Sequence, residues 1–186
     1  MEQSRGITLF ELLLALSVVS VLGAISLPNF RSLAQSISGE VTLRRLANAV
    51  QLGKSSAITQ GTMITLCPLS DGPECGRDWH DGLRIFSDVN GNRRVDPQES
   101  IIRQIGFPES NGRLRFRAFQ NKQYLQITSL GITRNQNGNF TYCPISGESS
   151  FARQLIINRT ARLRFAQDSD GDGIREDSRG RPLDCE

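Results

Sequence analysis

The sequence predicts an α+β fold: one long N-terminal helix, its first half suited to a membrane and its second half amphipathic, packed on an antiparallel β-sheet domain. Three observations predict it. Residues 7–27 form an almost unbroken apolar run. Beyond Pro28, apolar residues recur at steps of three and four, the period of a helix with one buried face. After Gly61 the period changes, and short runs bounded by Gly, Pro, Asn or Asp take over, as strands and their turns do.

Each element follows in order. Residues 1–6, MEQSRG, are a short polar leader with Arg5 as a positive flank. The apolar run after it would make about 30 Å of helix, the thickness of a hydrocarbon core. The positive flank then places residues 1–6 in the cytoplasm and the bulk of the chain outside it, as a single-pass protein. Glu11 interrupts the run. An ionisable group costs about 2–3 kcal/mol near the centre of a lipid-embedded helix, so this carboxylate calls for a partner. Pro28, lacking an N–H, is expected to kink the helix.

Residues 28–61 continue the helix with Phe30, Leu33, Ile37, Val41, Leu43, Leu46, Val50 and Ala57 as its apolar stripe. Gly39 and Gly53 each weaken it by up to about 1 kcal/mol, and Gly61 ends it. Residues 62–186 form the β-rich globular domain. Its expected strands are 62–67, 82–87, 99–105, 113–119, 124–128, 139–143, 153–158 and 162–165, with an acidic tail at 166–186. No internal repeat or low-complexity linker divides the domain.

Composition narrows the function. With one histidine, His80, and no set of acid, base and nucleophile, nothing points to an enzyme. The four cysteines, Cys67, Cys75, Cys143 and Cys185, all follow the apolar run. Export would put them in an oxidising compartment and favour two disulfides; a zinc site would call for paired CxxC spacing, which is absent. Three connectivities are open.

Charge is unevenly distributed. Residues 101–164 carry 10 basic and 2 acidic side chains, whereas residues 165–186 carry 3 basic and 7 acidic. In Arg113-Leu114-Arg115-Phe116-Arg117, the period of two puts three guanidinium groups on one face of a strand. Arg162-Leu163-Arg164-Phe165 repeats the device, with Arg159 just upstream. Two such stripes make DNA phosphates a candidate partner. The bland alternative is that these arginines pair with the acidic tail or with neighbouring subunits.

Two acidic loops half-match a calcium-binding pattern. Asp168, Asp170 and Asp172 precede Gly173, but Arg179 stands at the twelfth position. In the loop 88–99 the terminal Glu99 fits, but Arg93 replaces the glycine, and a solvated turn is the better reading. No cofactor is expected, with Ca2+ at the acidic tail loop the one candidate.

The N-terminal residues carry a family resemblance. Gly6 before Ile7, Thr8-Leu9, Glu11, the apolar run and Pro28 resemble the start of a type IV prepilin or pseudopilin. The resemblance implies that prepilin peptidase cuts between Gly6 and Ile7 and that the new amine of Ile7 is methylated. Glu11 would then neutralise that amine on a neighbouring subunit during assembly. Ile7 stands where Phe is commoner and Phe10 where Ile is usual. The run ITLCPLSDGPECGRDWHDGLRIFSDVNGNRRVDPQESIIRQI resembles the GspH/FimT group of minor pilins and pseudopilins.

That resemblance, FimT- or FimU-like, implies a type IV pilin-like fold and a minor subunit that helps initiate pilus assembly. Its partners would be other minor pilins, the major pilin and the inner-membrane assembly machinery. The alternative is a GspH-like pseudopilin of a type II secretion system. The favoured disulfides are Cys67–Cys75, closing a small loop, and Cys143–Cys185, pinning the tail. FimT-like pilins bind DNA through GRxR on a C-terminal strand. Here that position reads Ala161-Arg162-Leu163-Arg164, while an intact GRxR occurs earlier, at 112–115.

Overall fold

The computed structural model describes residues 8–107 and 112–185, without the side chains of 24–32. Gly6 and Ile7, the expected cleavage and methylation positions, lie outside the described residues. So does the side chain of Pro28, although helix α1, Leu9–Gln60, runs through that position. Gly61 ends the helix with φ +63, a left-handed conformation that glycine adopts without penalty. Residues 1–37 and 38–186 form two separate compact units.

In the first unit the helix shows its apolar side chains to the outside. Leu9, Phe10, Leu12, Leu13, Leu14, Leu16, Val18, Val19, Val21 and Leu22 are all exposed. Among the described residues no helix is long and apolar enough to cross a membrane; of the expected span, 7–27, residue 7 and the side chains of 24–27 lie outside them.

The described residues of the second unit form eight strands: β1 Ile64–Pro68, β2 Gly82–Ser87, β3 Ile101–Gly106, β4 Gly112–Ala118, β5 Leu125–Ile127, β6 Gly138–Pro144, β7 Arg153–Ile157 and β8 Leu163–Phe165. Each falls on an expected run, with ends differing by at most two residues. They form two antiparallel sheets rather than one, ordered β3-β2-β1-β5 and β4-β6-β7-β8. Strand pairing is a long-range property, and β5 shows why periodicity did not reveal the split: it crosses back to pair with β1.

The two sheets share one core with the helix. Leu43, Leu46, Ala49, Val50 and Ala57 are buried on α1, against Ile64 and Leu66 of β1, Leu83 and Ile85 of β2, and Leu125 and Ile127 of β5. From the second sheet, Leu114, Phe116, Phe140, Tyr142, Leu155 and Ile157 join the same cluster. Trp79, between β1 and β2, reaches across to this side, with its ring edge-on to Phe140 at 4.7 Å and to Phe116 at 5.5 Å.

The two helix glycines are contact points. A Cβ on Gly39 would lie 2.7 Å from Tyr142 Cδ1, and one on Gly53 would lie 2.7 Å from Leu66 Cδ1. Each lets the helix approach one sheet, and Tyr142 Oη also bonds Ser38 Oγ at 3.1 Å. Their low helix propensity is offset by this close packing. Gly39→Ala tests the balance, because alanine gains about 1 kcal/mol of propensity but forces its methyl into a rigid ring. The expected result is a net loss of about 1–3 kcal/mol in urea unfolding of the full chain in detergent.

Candidate functional site

The arginine stripes sit on one sheet face, as strand alternation requires. Along β4, Arg113, Arg115 and Arg117 are exposed while Leu114 and Phe116 are buried. Directly paired residues share a face, so register extends the stripe across the sheet. Arg117 pairs with Asn139, Asn139 with Ile156, and Ile156 with Arg164. Arg164 of β8 therefore lies on the same face as the β4 arginines, at the opposite edge, about 14 Å away across three strand spacings.

Arg159 and Arg162 belong to the turn before β8. Asn158 organises it: its Oδ1 accepts from the backbone N–H of Thr160 at 3.0 Å and of Arg162 at 2.9 Å. Lys54 Nζ on the helix bonds the Thr160 carbonyl at 2.9 Å, and Thr133 N–H bonds the Arg159 carbonyl at 2.8 Å. The turn is thus held from both sides. Among the described residues, Arg113, Arg117, Arg159, Arg162 and Arg164 form no ion pair.

The structure separates the two GRxR-like stretches. Gly112 has no positive φ; it is extended strand, and a Cβ there would meet the Tyr142 ring at 2.4 Å. That glycine serves packing. Ala161, where the glycine is missing, has φ +52 and is buried. At 161 alanine thus holds a left-handed conformation that glycine adopts freely, a strain of about 1 kcal/mol.

The tail lies over this same face. Cys143 of β6 is bonded to Cys185, and Cys67 to Cys75, the connectivity favoured among the three. Ala166 N–H bonds the Gln154 carbonyl, so the chain leaves β8 still paired to β7. It then folds into a small hairpin, with Leu183 N–H bonding the Arg175 carbonyl and Asp177 N–H the Arg181 carbonyl, both at 2.8 Å. Leu183 packs on Ala152 and Ala166.

A cleft of about 770 Å³ separates the hairpin from the sheet. Arg115, Arg117, Thr141 and Gln154 line it on one side, and Asp177 and Arg181 on the other. Partial burial pushes the Asp177 carboxyl up, but hydrogen bonds from Arg181 and from the backbone N–H groups of Arg179 and Arg181 hold it, on balance, below the usual range.

The acidic loops differ from each other. Carboxylate oxygens of Asp168, Asp170, Asp172 and Glu176 all lie within 4.8 Å of one another. Glu176 occupies the ninth position of the loop pattern, and the spacing from Asp168 would have revealed it. This all-oxygen set suits a hard cation such as Ca2+, although Arg179 still leaves the twelfth position without a carboxylate. In the loop 88–99, by contrast, the groups satisfy one another. Asp88 is fully buried and accepts from Gln126 Nε2 at 2.9 Å and from Thr65 Oγ1. Asn90 and Asn92 both donate to Asp96, which lowers its pKa, and Glu99 caps Val89 and Asp96 N–H.

Glu11 has a local role that the sequence reading missed. Its Oε2 accepts from Thr8 N–H at 3.0 Å, while Thr8 Oγ1 accepts from Glu11 N–H at 3.3 Å. This is a reciprocal capping box, and the T-x-x-E spacing at 8–11 was the available signal.

A family profile described as "Type II transport protein GspH" matches residues 42–161, well over half of the chain. The chain belongs to the GspH family. Pilin-like protein PilA1 of Thermus thermophilus is 33% identical over 97 residues, 52% of this chain and 56% of that relative. The chain therefore matches little more than half of that relative's length.

The fold of this GspH-family chain recurs in solved structures. Type IV minor pilin FimU of Pseudomonas aeruginosa superposes with a TM-score of 0.57 at 20% identity, covering 80% of this chain and 95% of that one. Minor pseudopilin EpsH of the Vibrio cholerae Type 2 Secretion System gives 0.51 at 13% identity, covering 72% and 99%. The chain is thus a GspH-family protein with the pilin-like fold, a long helix on antiparallel sheet.

The carboxylate cluster gives a direct test. Four anionic groups this close repel one another, and a divalent cation would relieve that. Thermal unfolding of the full chain in detergent is expected to shift up by a few degrees in millimolar calcium relative to chelator, and the shift to vanish in Asp170→Asn/Asp172→Asn. Superimposable melts would show that the loop does not hold calcium.

Proposed function

We propose that this protein is a non-enzymatic assembly subunit of a type IV pilus, acting at initiation. The observation that carries this reading is the exposed apolar surface of α1 from Leu9 to Leu22, which needs lipid before assembly and other helices after it. Prepilin peptidase would cut after Gly6 on the cytoplasmic side of the inner membrane, and the amine of Ile7 would be methylated. That amine is largely cationic at neutral pH. The carboxylate of Glu11 on an entering subunit pairs with Ile7 of its neighbour, and a pair in low dielectric rewards correct register because either charge alone is costly. Minor and major pilins and the assembly machinery are its partners. A pseudopilin of a type II secretion system would use the same step; the family description and EpsH keep that alternative open.

The second reading is DNA binding by the arginine face. It is supported by the shared face of Arg113, Arg115, Arg117 and Arg164, and by the buttressed turn that presents Arg159 and Arg162. Phosphate contacts from such a face carry no sequence preference and weaken with salt.

Two experiments address these readings. Glu11→Gln retains a side chain able to complete the capping box but removes the charge, whereas Glu11→Ala removes both. Both variants are expected to be cleaved and membrane-bound yet absent from purified filaments. Normal incorporation of Glu11→Gln would assign the residue to capping alone. For the arginine face, gel shifts with unrelated duplexes across a salt series are expected to show binding that falls steeply with salt. Arg162→Gln/Arg164→Gln should reduce the slope by about two. Absence of binding at low salt would remove DNA from the reading.

A further inference from the structure

We propose that the C-terminal tail, residues 166–185, is a built-in competitor for the arginine face: clipped down by Cys143–Cys185, it restrains the binding of an extended polyanion. The inference rests on the reading of that face as a phosphate-contacting surface, and adds to it a restraint carried by the same chain.

Position is the first argument. Cys143, the anchor of the tail, pairs in register with Arg113, at the head of the β4 stripe. From that anchor the tail hairpin forms one wall of the cleft whose other wall holds Arg115 and Arg117. The ends of the hairpin are fixed independently, by Ala166 on the β7 backbone and by Leu183 in the small cluster with Ala152. It is a built wall, and a DNA duplex is too broad to enter a cleft of this size beneath it.

Charge is the second argument. Residues 165–186 carry 3 basic and 7 acidic side chains, a balance of −4, beside a segment 101–164 with 10 basic and 2 acidic, a balance of +8. Asp177 is matched within the tail by Arg181 at 2.7 Å, and Arg175 is directed to Glu40 of the helix at 3.7 Å. Asp168, Asp170 and Asp172 accept hydrogen bonds only from backbone N–H groups, and Glu176 from that of Ser169. Among the described residues, Asp168, Asp170, Asp172 and Glu176 thus have no ion pair, and neither do Arg113, Arg117 and Arg164 of the face. The tail's net charge of −4 is carried by a segment that walls the same cleft as Arg115 and Arg117, and its field reaches about one Debye length, roughly 8 Å at physiological salt and farther at low salt. Bringing a polyanion to the face then requires it to overcome the tail's field and to displace the wall in front of Arg115 and Arg117.

The experiment uses the full chain in detergent and two probes, a 30-base-pair duplex and dextran sulfate, at low salt with chelator present. Three forms are compared: the unaltered chain, Cys143→Ser/Cys185→Ser, which frees the tail, and Asp168→Asn/Asp170→Asn/Asp172→Asn, which keeps the disulfide and the fold but removes charge. Both variants are expected to bind both probes about 3- to 10-fold more tightly than the unaltered chain, with the gain fading as salt rises. A gain for dextran sulfate with no DNA binding by any form would sustain the tail's role and overturn the DNA reading. DNA binding by the unaltered chain that neither variant improves would do the reverse. Should the cysteine variant fail to fold, the asparagine variant decides alone, and an unchanged affinity for dextran sulfate in it overturns the proposal.

Discussion

Everything in the globular unit depends on one contact: the buried stripe of α1 between two sheets that share no backbone ladder. Strand hydrogen bonds hold each sheet together internally, and joining one to the other takes more than the Thr133–Arg159 backbone bond beside β5. That task falls to Leu43, Leu46, Val50 and Ala57, with Trp79 extending from the first sheet to the aromatic pair Phe116 and Phe140 of the second. The absence of side chains at Gly39 and Gly53 sets how closely the helix can sit on each sheet. Burial of this stripe is therefore what makes eight short strands into one body, since small sheets are marginal without a covered face.

The chemistry of the outer face follows from that burial. Once Leu114 and Phe116 must point inward, period two leaves no choice about where Arg113, Arg115 and Arg117 point. Register then does what sequence distance conceals, setting Arg164 on the same surface nearly fifty positions later. The turn 158–162 is the exception to this economy. It is held by Asn158, Lys54 and Thr133, and it keeps Ala161 in a conformation that glycine would adopt more easily. A segment supported this thoroughly presents its arginines without further ordering.

Much of this was legible in the sequence because it is local. Helix period, strand alternation and turn residues placed α1 and all eight strands, and the stripe in 113–117 gave the exposed arginines directly. What was hidden is non-local or stereochemical. The division into two sheets depends on β5 returning to β1, which no window of periodicity records. Gly39 and Gly53 read as weak points in a helix because propensity cannot show the ring or leucine opposite them. Neither the packing of Gly112 in the intact GRxR at 112–115 nor the left-handed backbone of Ala161 could be read from the motif letters. Thr8 and Glu176 were available signals: each stands at a fixed offset from a residue already singled out.

The Cys143–Cys185 bond has a mechanical consequence. It closes a covalent ring that contains β7 and β8, with 42 positions between its ends. A domain pulled from its two ends lengthens by extending released chain to about 3.5 Å per residue. The ring withholds about 150 Å of that length, and the Cys67–Cys75 loop about 30 Å more. Under tension the domain can yield only in segments outside these loops. The arginine turn before β8 therefore sits in the part of the protein that stretches last.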